Sequence, residues 1–325
     1  MPQRLRWYES DVVYEVTTRT IQERFLLRPS PLVTALILGV IARAQTFYTS
    51  VKIYGFTFLS NHYHMLLSAG DGAEIAKFLG YVNSNIAREM GRVHKWRGSL
   101  WGRRAKVIPI LDSQAMIERL RYVISNGVKE GLVASPREWP GASGVPGLLG
   151  NMTLSGIWID RDRLRRARRR DPNADAAAFT SALELTLSPL PVWSDLSASD
   201  LREKHEVLVQ DVERDARERG GKVLGAERVM KQNPHDAPKQ PARGPAPQCH
   251  TSSPLIRDAF RRLYAAFQTL FRTCADARKG QPPHEMGFPP GSFPRPAWFS
   301  SSKDESVLRN LALDVAMQRA VRPAI

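Results

Sequence analysis

Val51-Lys52-Ile53-Tyr54-Gly55-Phe56-Thr57-Phe58-Leu59-Ser60-Asn61-His62-Tyr63-His64-Met65-Leu66-Leu67 is a long apolar run broken at Ser60-Asn61, a pair of residue types expected at a hairpin turn. The run reads as two strands, the second opening at His62. Residues two apart on a strand share a face, so His62 and His64 project together. Two parallel imidazoles can seat a metal ion, imidazole being the commonest protein ligand. The competing reading is a chance pattern or a satisfied packing pair in an apolar strand, and a third ligand would decide between them.

Working outward, Val12-Val13-Tyr14-Glu15-Val16-Thr17-Thr18 has the β-branched and aromatic content of a strand. Between it and the hairpin, residues 31–46 place Leu32, Leu36, Val40 and, just beyond, Phe47 close to helical period, and Pro29-Ser30-Pro31 suits a helix start. A second helix is expected over residues 72–92, with Ile75, Phe78, Leu79, Val82 and Ile86 on one face. Lys106-Val107-Ile108-Pro109-Ile110-Leu111 is a short strand, placed at a sheet edge because Pro109 cannot donate to a ladder. A third helix is expected over residues 112–126, capped by Asp112 or Ser113, striped by Ile117, Leu120, Val123 and Ile124, and ended by Gly127. The order β-α-β-β-α-β-α implies an α+β fold in which helices cover a small sheet.

Of the 325 residues, 47 are Lys or Arg and 32 are Asp or Glu, a formal charge of +15 that asks for a polyanionic partner. With 42% hydrophobic and 24% charged residues, wholesale disorder is not expected. Nor is a membrane protein: the most apolar stretch, residues 32–44, contains Thr34, Gly39 and Arg43 and falls short of the roughly 20 residues that span a bilayer. The N-terminus is polar, and Cys249 and Cys274 are the only cysteines, which suits a reducing cytoplasm, associated with the nucleoid if the partner is DNA.

The remainder differs in composition. Residues 161–170 hold seven arginines and one aspartate, which can grip duplex DNA or serve as a charged connector. Residues 174–187 read as a helix, and residues 200–232 as helical with interruptions at Gly220-Gly221 and Gly225. Pro234, Pro238, Pro241, Pro245, Pro247 and Pro254 mark a linker at about 233–254. Over residues 254–279, Ile256, Phe260, Leu263, Phe267 and Phe271 recur at spacings of three or four, as on a packing helix or a dimerisation helix. Length suggests about two domains of roughly 150 residues. The expected division is a domain at 1–147, a basic connector at 148–199 and a mainly helical extension at 200–325.

Tyr122 and Asn126 lie four apart on the third helix and so face the same way. Asn126 offers a carbonyl oxygen suited to a hard cation, and Tyr122 a phenol that needs activation before it attacks. The alternative is a half-buried helix aromatic beside an asparagine that caps the helix. Between residues 88 and 106, the cations Arg88, Arg92, Lys95, Arg97, Arg103, Arg104 and Lys106 interleave with His94, Trp96 and Trp101 against one acid, Glu89. Aromatics among cations suit unpaired bases and phosphates; the opposing reading is a solvated basic face with both tryptophans in the core. His94, His205, His235, His250 and His284 show no ligand spacing and are expected to be structural or solvent-exposed.

Two segments in order, Phe56 to Leu67 with its His62-Tyr63-His64 and Arg121-Tyr122-Val123-Ile124-Ser125-Asn126-Gly127-Val128-Lys129-Glu130-Gly131-Leu132-Val133, resemble the single-tyrosine HUH transposases, and within them the REP-associated tyrosine transposases. The resemblance spans about residues 8–145, including Trp139-Pro140 after the tyrosine helix. It implies a ferredoxin-like HUH domain over residues 1–147, with His62 and His64 as the metal-binding pair, Asn126 as third ligand and Tyr122 as nucleophile. It implies also a divalent cofactor, Mg²⁺ or Mn²⁺, and single-stranded or hairpin DNA as partner, cut through a 5′-phosphotyrosine. The extension is then expected to add affinity and site selection, so that a chain ending near Pro146 keeps cleavage; a homodimer stays open. Two other classes compete: a DNA-hairpin-binding protein that has lost cleavage, and an RNA-binding ferredoxin-like module with solvent-facing aromatics on its central strands.

Overall fold

The computed structural model describes residues 4–238, 246–277 and 288–292. Pro241, Pro245, His284, residues 278–279 of the expected last helix and the chain after 292 lie outside the described residues. At the centre is an antiparallel sheet of β1 (Val13–Arg19), β2 (Val51–Phe58), β3 (His62–Ala69) and β4 (Lys106–Ile110), in the order β2-β3-β1-β4. Helix α1 (Pro31–Gln45) joins β1 to β2, α2 (Gly72–Val93) joins β3 to β4, and α3 (Ser113–Lys129) follows β4. This is the ferredoxin-like βαββαβ arrangement with an added helix. Each helix begins where a side-chain oxygen accepts a free backbone N–H: Ser30 from Val33, Asp71 from Ala73 and Asp112 from Ala115, each such cap contributing about 1 kcal/mol.

Every residue of β3 is buried, because helices cover both faces of the sheet. Tyr63 donates its hydroxyl to Asn83 of α2, whereas the neighbouring His64 meets Tyr122 of α3, so the two helices lie on opposite faces. Tyr14 and Tyr63, the aromatics of the central strands, are buried, which does not fit an RNA-binding sheet with solvent-facing rings. At Gly55, beside a register shift in β2, a Cβ would stand 2.6 Å from Leu120 Cδ1; glycine there lets α3 lie close to the hairpin.

Gly127 does not end α3, which continues to Lys129. A Cβ on Gly127 would meet Trp139 Cε3 at 2.9 Å and Val133 Cγ2 at 3.2 Å, so this glycine makes room for the Trp139 ring. The left-handed glycine that terminates the helix is Gly131, at φ +66°.

Beyond the short helix α4 (Val145–Leu149) come β5 (Thr153–Ile159), α5 (Arg161–Arg170) and β6 (Thr180–Thr186). The helix expected over 174–187 is therefore corrected to a short 3-10 turn and a strand. Leu183, Leu185 and Leu187 alternate at period two and pack inward, outweighing the helix propensity of the preceding alanines. Strands β5 and β6 pair as a separate antiparallel sheet against α1. Gly39 and Gly156 make this contact, since a Cβ on Gly39 would lie 1.9 Å from the Ile157 carbonyl oxygen.

Helix α6 (Ala198–Arg219) lies along α3, and its Leu208, Val209 and Val212 join the same apolar core as the sheet; α7 (Ala226–Met230) follows. Residues 249–251 then run beside the end of β4, pairing in parallel through His250 N–H to the Pro109 carbonyl (2.8 Å) and Leu111 N–H to the His250 carbonyl (2.9 Å). The stripe of α8 (Pro254–Ala277) packs inside the chain: Phe260, Tyr264 and Phe267 cluster with Leu111 and Cys249 and stack against Trp7. Cys249 and Cys274 are both buried. Among the described residues no helix is long and apolar enough to cross a membrane.

Candidate active site

Strand alternation sets His62 and His64 on the α3 face, their ring centroids 5.2 Å apart and each residue 6% exposed. His62 Nδ1 lies 2.7 Å from Asn61 Oδ1 at the hairpin turn. His64 Nδ1 lies 2.8 Å from Glu15 Oε1 and 3.0 Å from Thr17 Oγ1, both on the adjacent β1. With Nδ1 engaged on both rings, Nε2 is the nitrogen left to act, the arrangement by which an outer hydrogen bond orients a metal-binding histidine. Burial, reinforced by the charges of His64, Arg19 and Lys129, holds the His62 imidazole well below its usual value. Burial also lowers His64, outweighing the opposing pull of Glu15. Both rings are therefore neutral at neutral pH, the form that can donate a lone pair.

Helix α3 brings Tyr122 over this pair, its ring centroid 5.3 Å from that of His64 at 81°. The Arg119 guanidinium sits 3.8 Å and the Lys129 ammonium 4.6 Å from the centre of the tyrosine ring, so two cations contact it. One turn on, Asn126 is 1% exposed and spends its amide nitrogen on the Tyr122 (2.7 Å) and Val123 (3.2 Å) carbonyls, leaving its side-chain oxygen as the unspent acceptor. Beside His64 in register on β2, the buried Thr57 Oγ1 has no hydrogen-bond partner among the described residues. No group of three His, Cys, Asp or Glu that could hold a metal occurs among the described residues, so a metal bound here would have to be held by two imidazoles and an amide oxygen.

Glu15, Arg119 and His250 are site residues that motif reasoning did not find. Glu15 is buried on β1 with Oε1 on His64, while Oε2 lies 2.7 Å from Arg119 and 2.8 Å from His250 Nε2. Neither approach to Oε2 is an aligned hydrogen bond: Arg119 makes a close ion pair and His250 a close polar contact. Burial pushes the Glu15 carboxyl up, but His250, His64 and Arg119 overcome it and hold the group well below the usual carboxylate range. A lone acid in the apolar run Val12 to Val16 was a usable signal for Glu15. His250, expected to be structural or exposed, is half-buried against this carboxylate; nothing in its local sequence marks it.

The cations Arg88, Arg92, Lys95, Arg97, Arg103, Arg104 and Lys106 are exposed along the end of α2 and the loop into β4. Trp96 and Trp101 are half-buried among them. The Trp101 indole N–H donates to the Asn83 carbonyl (2.9 Å) and its ring packs edge-on against Tyr63; the Trp96 N–H donates to the Ser99 carbonyl (3.1 Å). The loop passes the end of β1 through Gly102 N–H to the Arg19 carbonyl (2.9 Å), and Arg19 is paired with His62, so these cations border the histidine end of the sheet. Helix α5 begins beside the end of α2: Arg161 pairs with Glu89, the same carboxylate that holds Arg92.

No protein-family model matches the chain, and no curated protein matches it. Among solved structures the chain is similar to a REP-associated tyrosine transposase bound to a REP hairpin, at 18% identity and a TM-score of 0.38, over 44% of this chain and 82% of that one. It is similar also to a candidate transposase from Deinococcus radiodurans R1, at 19% identity and a TM-score of 0.28, over 39% of this chain and 97% of that one.

Proposed function

We propose that the chain is a transposase-like enzyme that cuts and rejoins single-stranded DNA through Tyr122, probing the strand beside a hairpin. The observation that carries this reading is the convergence of His62, His64 and Tyr122, from β3 and α3, on one buried face with the two rings of His64 and Tyr122 5.3 Å apart. The donor set fits a divalent cation: two neutral imidazoles with Nε2 unspent, the Asn126 side-chain oxygen, and an orphaned Thr57 hydroxyl beside them. When bound by His62, His64 and Asn126, Mg²⁺ or Mn²⁺ would polarise the scissile phosphate and offset its charge.

The Tyr122 oxygen attacks phosphorus and loses its proton; the bond to the 3′ oxygen breaks, leaving a 5′-phosphotyrosine and a free 3′-hydroxyl. Arg119 and Lys129 hold the tyrosine ring and place positive charge beside the reacting anion. Because the covalent link conserves the phosphodiester, a second 3′-hydroxyl can reverse the step and join new ends at the same residue. Arg103, Arg104 and Lys106, with Arg88, Arg92, Lys95 and Arg97, supply backbone contacts along the neighbouring loop.

The test is covalent capture: wild-type protein and an oligonucleotide carrying a hairpin and flanking single strand should give a protein–DNA adduct, abolished in Tyr122→Phe and by EDTA. Tight hairpin binding with no adduct under any divalent metal would instead leave a DNA-binding protein without cleavage.

A further inference from the structure

We propose that His250, delivered by the C-terminal part of the chain, is a positioning residue for the active site, acting through Glu15 on His64. The inference rests on the reading of His64 as a working ligand. His250 enters the site because residues 249–251 extend the edge of the sheet: its N–H donates to the Pro109 carbonyl at 2.8 Å, and its carbonyl accepts from Leu111 at 2.9 Å. The next residues fasten the segment to α3. Thr251 Oγ1 donates to Asp112 (2.6 Å), and Ser252 donates to the same carboxylate from its backbone N–H (2.8 Å) and its hydroxyl (3.0 Å). Asp112 is also the cap of the helix that carries Arg119, Tyr122 and Asn126.

Between two such anchors the His250 ring has little freedom, and its Nε2 stands 2.8 Å from Glu15 Oε2. The other oxygen of Glu15 accepts from His64 Nδ1, and Oε2 faces Arg119, whose guanidinium lies on the Tyr122 ring. With Oε1 on His64 and Oε2 packed between Arg119 and His250, turning of the carboxylate is restricted, so His64 keeps its proton on Nδ1 and presents Nε2. Without His250, Arg119 alone restrains Oε2, and it must serve Glu15 and Tyr122 together. Docking of residues 249–253 is thereby coupled to the geometry of groups more than a hundred residues earlier.

The experiment uses the full-length chain with ¹⁵N-labelled histidine and His250→Ala, His250→Phe and His250→Gln. Long-range ¹H–¹⁵N spectra of the metal-free protein, with His64 assigned by its loss in His64→Ala, report which ring nitrogen holds the proton. Mn²⁺ alone, titrated by electron paramagnetic resonance, reports affinity, and thermal melting controls for folding. Wild type should show one Nδ1–H tautomer at His64. His250→Ala and His250→Phe should show a mixture and weaken Mn²⁺ binding on the order of 10-fold, while His250→Gln, whose amide N–H can reach the same oxygen, restores most of both. If the folded Phe variant matches wild type in tautomer and affinity, or if both readouts merely follow melting temperature, His250 does not position the site. A tautomer that responds to His250 in a protein whose Mn²⁺ binding is the same as in His62→Ala would keep this inference and sink the metal reading.

Discussion

Tyr122 is held by contacts to its ring, from His64, Arg119 and Lys129, so Tyr122→Phe keeps those ring contacts and removes one oxygen. Adduct formation should vanish while DNA affinity stays within about 0.5 kcal/mol, the usual scale of a benign substitution; fluorescence anisotropy beside a denaturing-gel adduct assay separates the two. Histidine burial makes a second residue-level prediction. His62 and His64 have lowered values in the folded chain, so the unfolded chain binds protons more readily between those values and about 6.5. Stability must then fall as pH drops below about 6.5, and urea midpoints at pH 7.5 and pH 5 should show it. Glu15 is depressed as well, but its contribution is lost only below about 4.3, its unfolded value, and is constant across that window. Replacing both histidines by Gln should flatten the pH 5 to 7.5 slope; an unchanged slope would mean that other groups dominate.

Among the elements, α1 is the one whose fit against its neighbours is tightest. Gly39→Ala improves helix propensity by about 1 kcal/mol, yet its Cβ would fall 1.9 Å from a backbone carbonyl of β5, which cannot move aside as a side-chain tip can. The variant should be destabilised by about 2–3 kcal/mol net in urea denaturation, the range expected for overpacking a close contact; a neutral result would mean that β5 and β6 do not pack on α1 as described. The basic loop before β4 permits a separate test. Arg103 and Arg104 are exposed, so replacing both by Ala should flatten the salt dependence of single-strand affinity by roughly 0.7 in log–log slope per lost phosphate contact. Trp101 packs on Tyr63 with its N–H satisfied, so Trp101→Ala should chiefly lower the melting temperature.

For the whole molecule, the expectation that a chain ending near Pro146 keeps cleavage meets a core that does not stop there. Leu185, Leu187, Leu190, Leu208, Val209 and Val212 share one apolar cluster with the sheet, and Arg121 of α3 pairs with Asp215 of α6. Removing them exposes the outer faces of α1 and α3 and takes His250 from Glu15. Such a chain should aggregate or lose its cooperative melting transition, as seen by calorimetry; a soluble, cooperatively folded fragment that still forms the adduct would restore the simpler division.

What could be read in the chain was what short-range periodicity controls. Alternation on β3 determines that His62 and His64 share a face, and the helical repeat determines that Tyr122 and Asn126 lie one turn apart. The order of β1 through α3 follows from the same local patterns. Tertiary structure decided the rest, because it depends on partners distant in sequence. Gly127 looked like a helix end, yet it is glycine to admit the ring of Trp139, and residues 180–186 became a strand because α1 offers a surface against which alternating leucines can be buried. Glu15 is the one acid of an apolar strand, but its place as the link between His64, Arg119 and His250 exists only once β1, α3 and the distant segment at 249–251 meet. A buried charge selects its partners by proximity in space, and no local repeat encodes that.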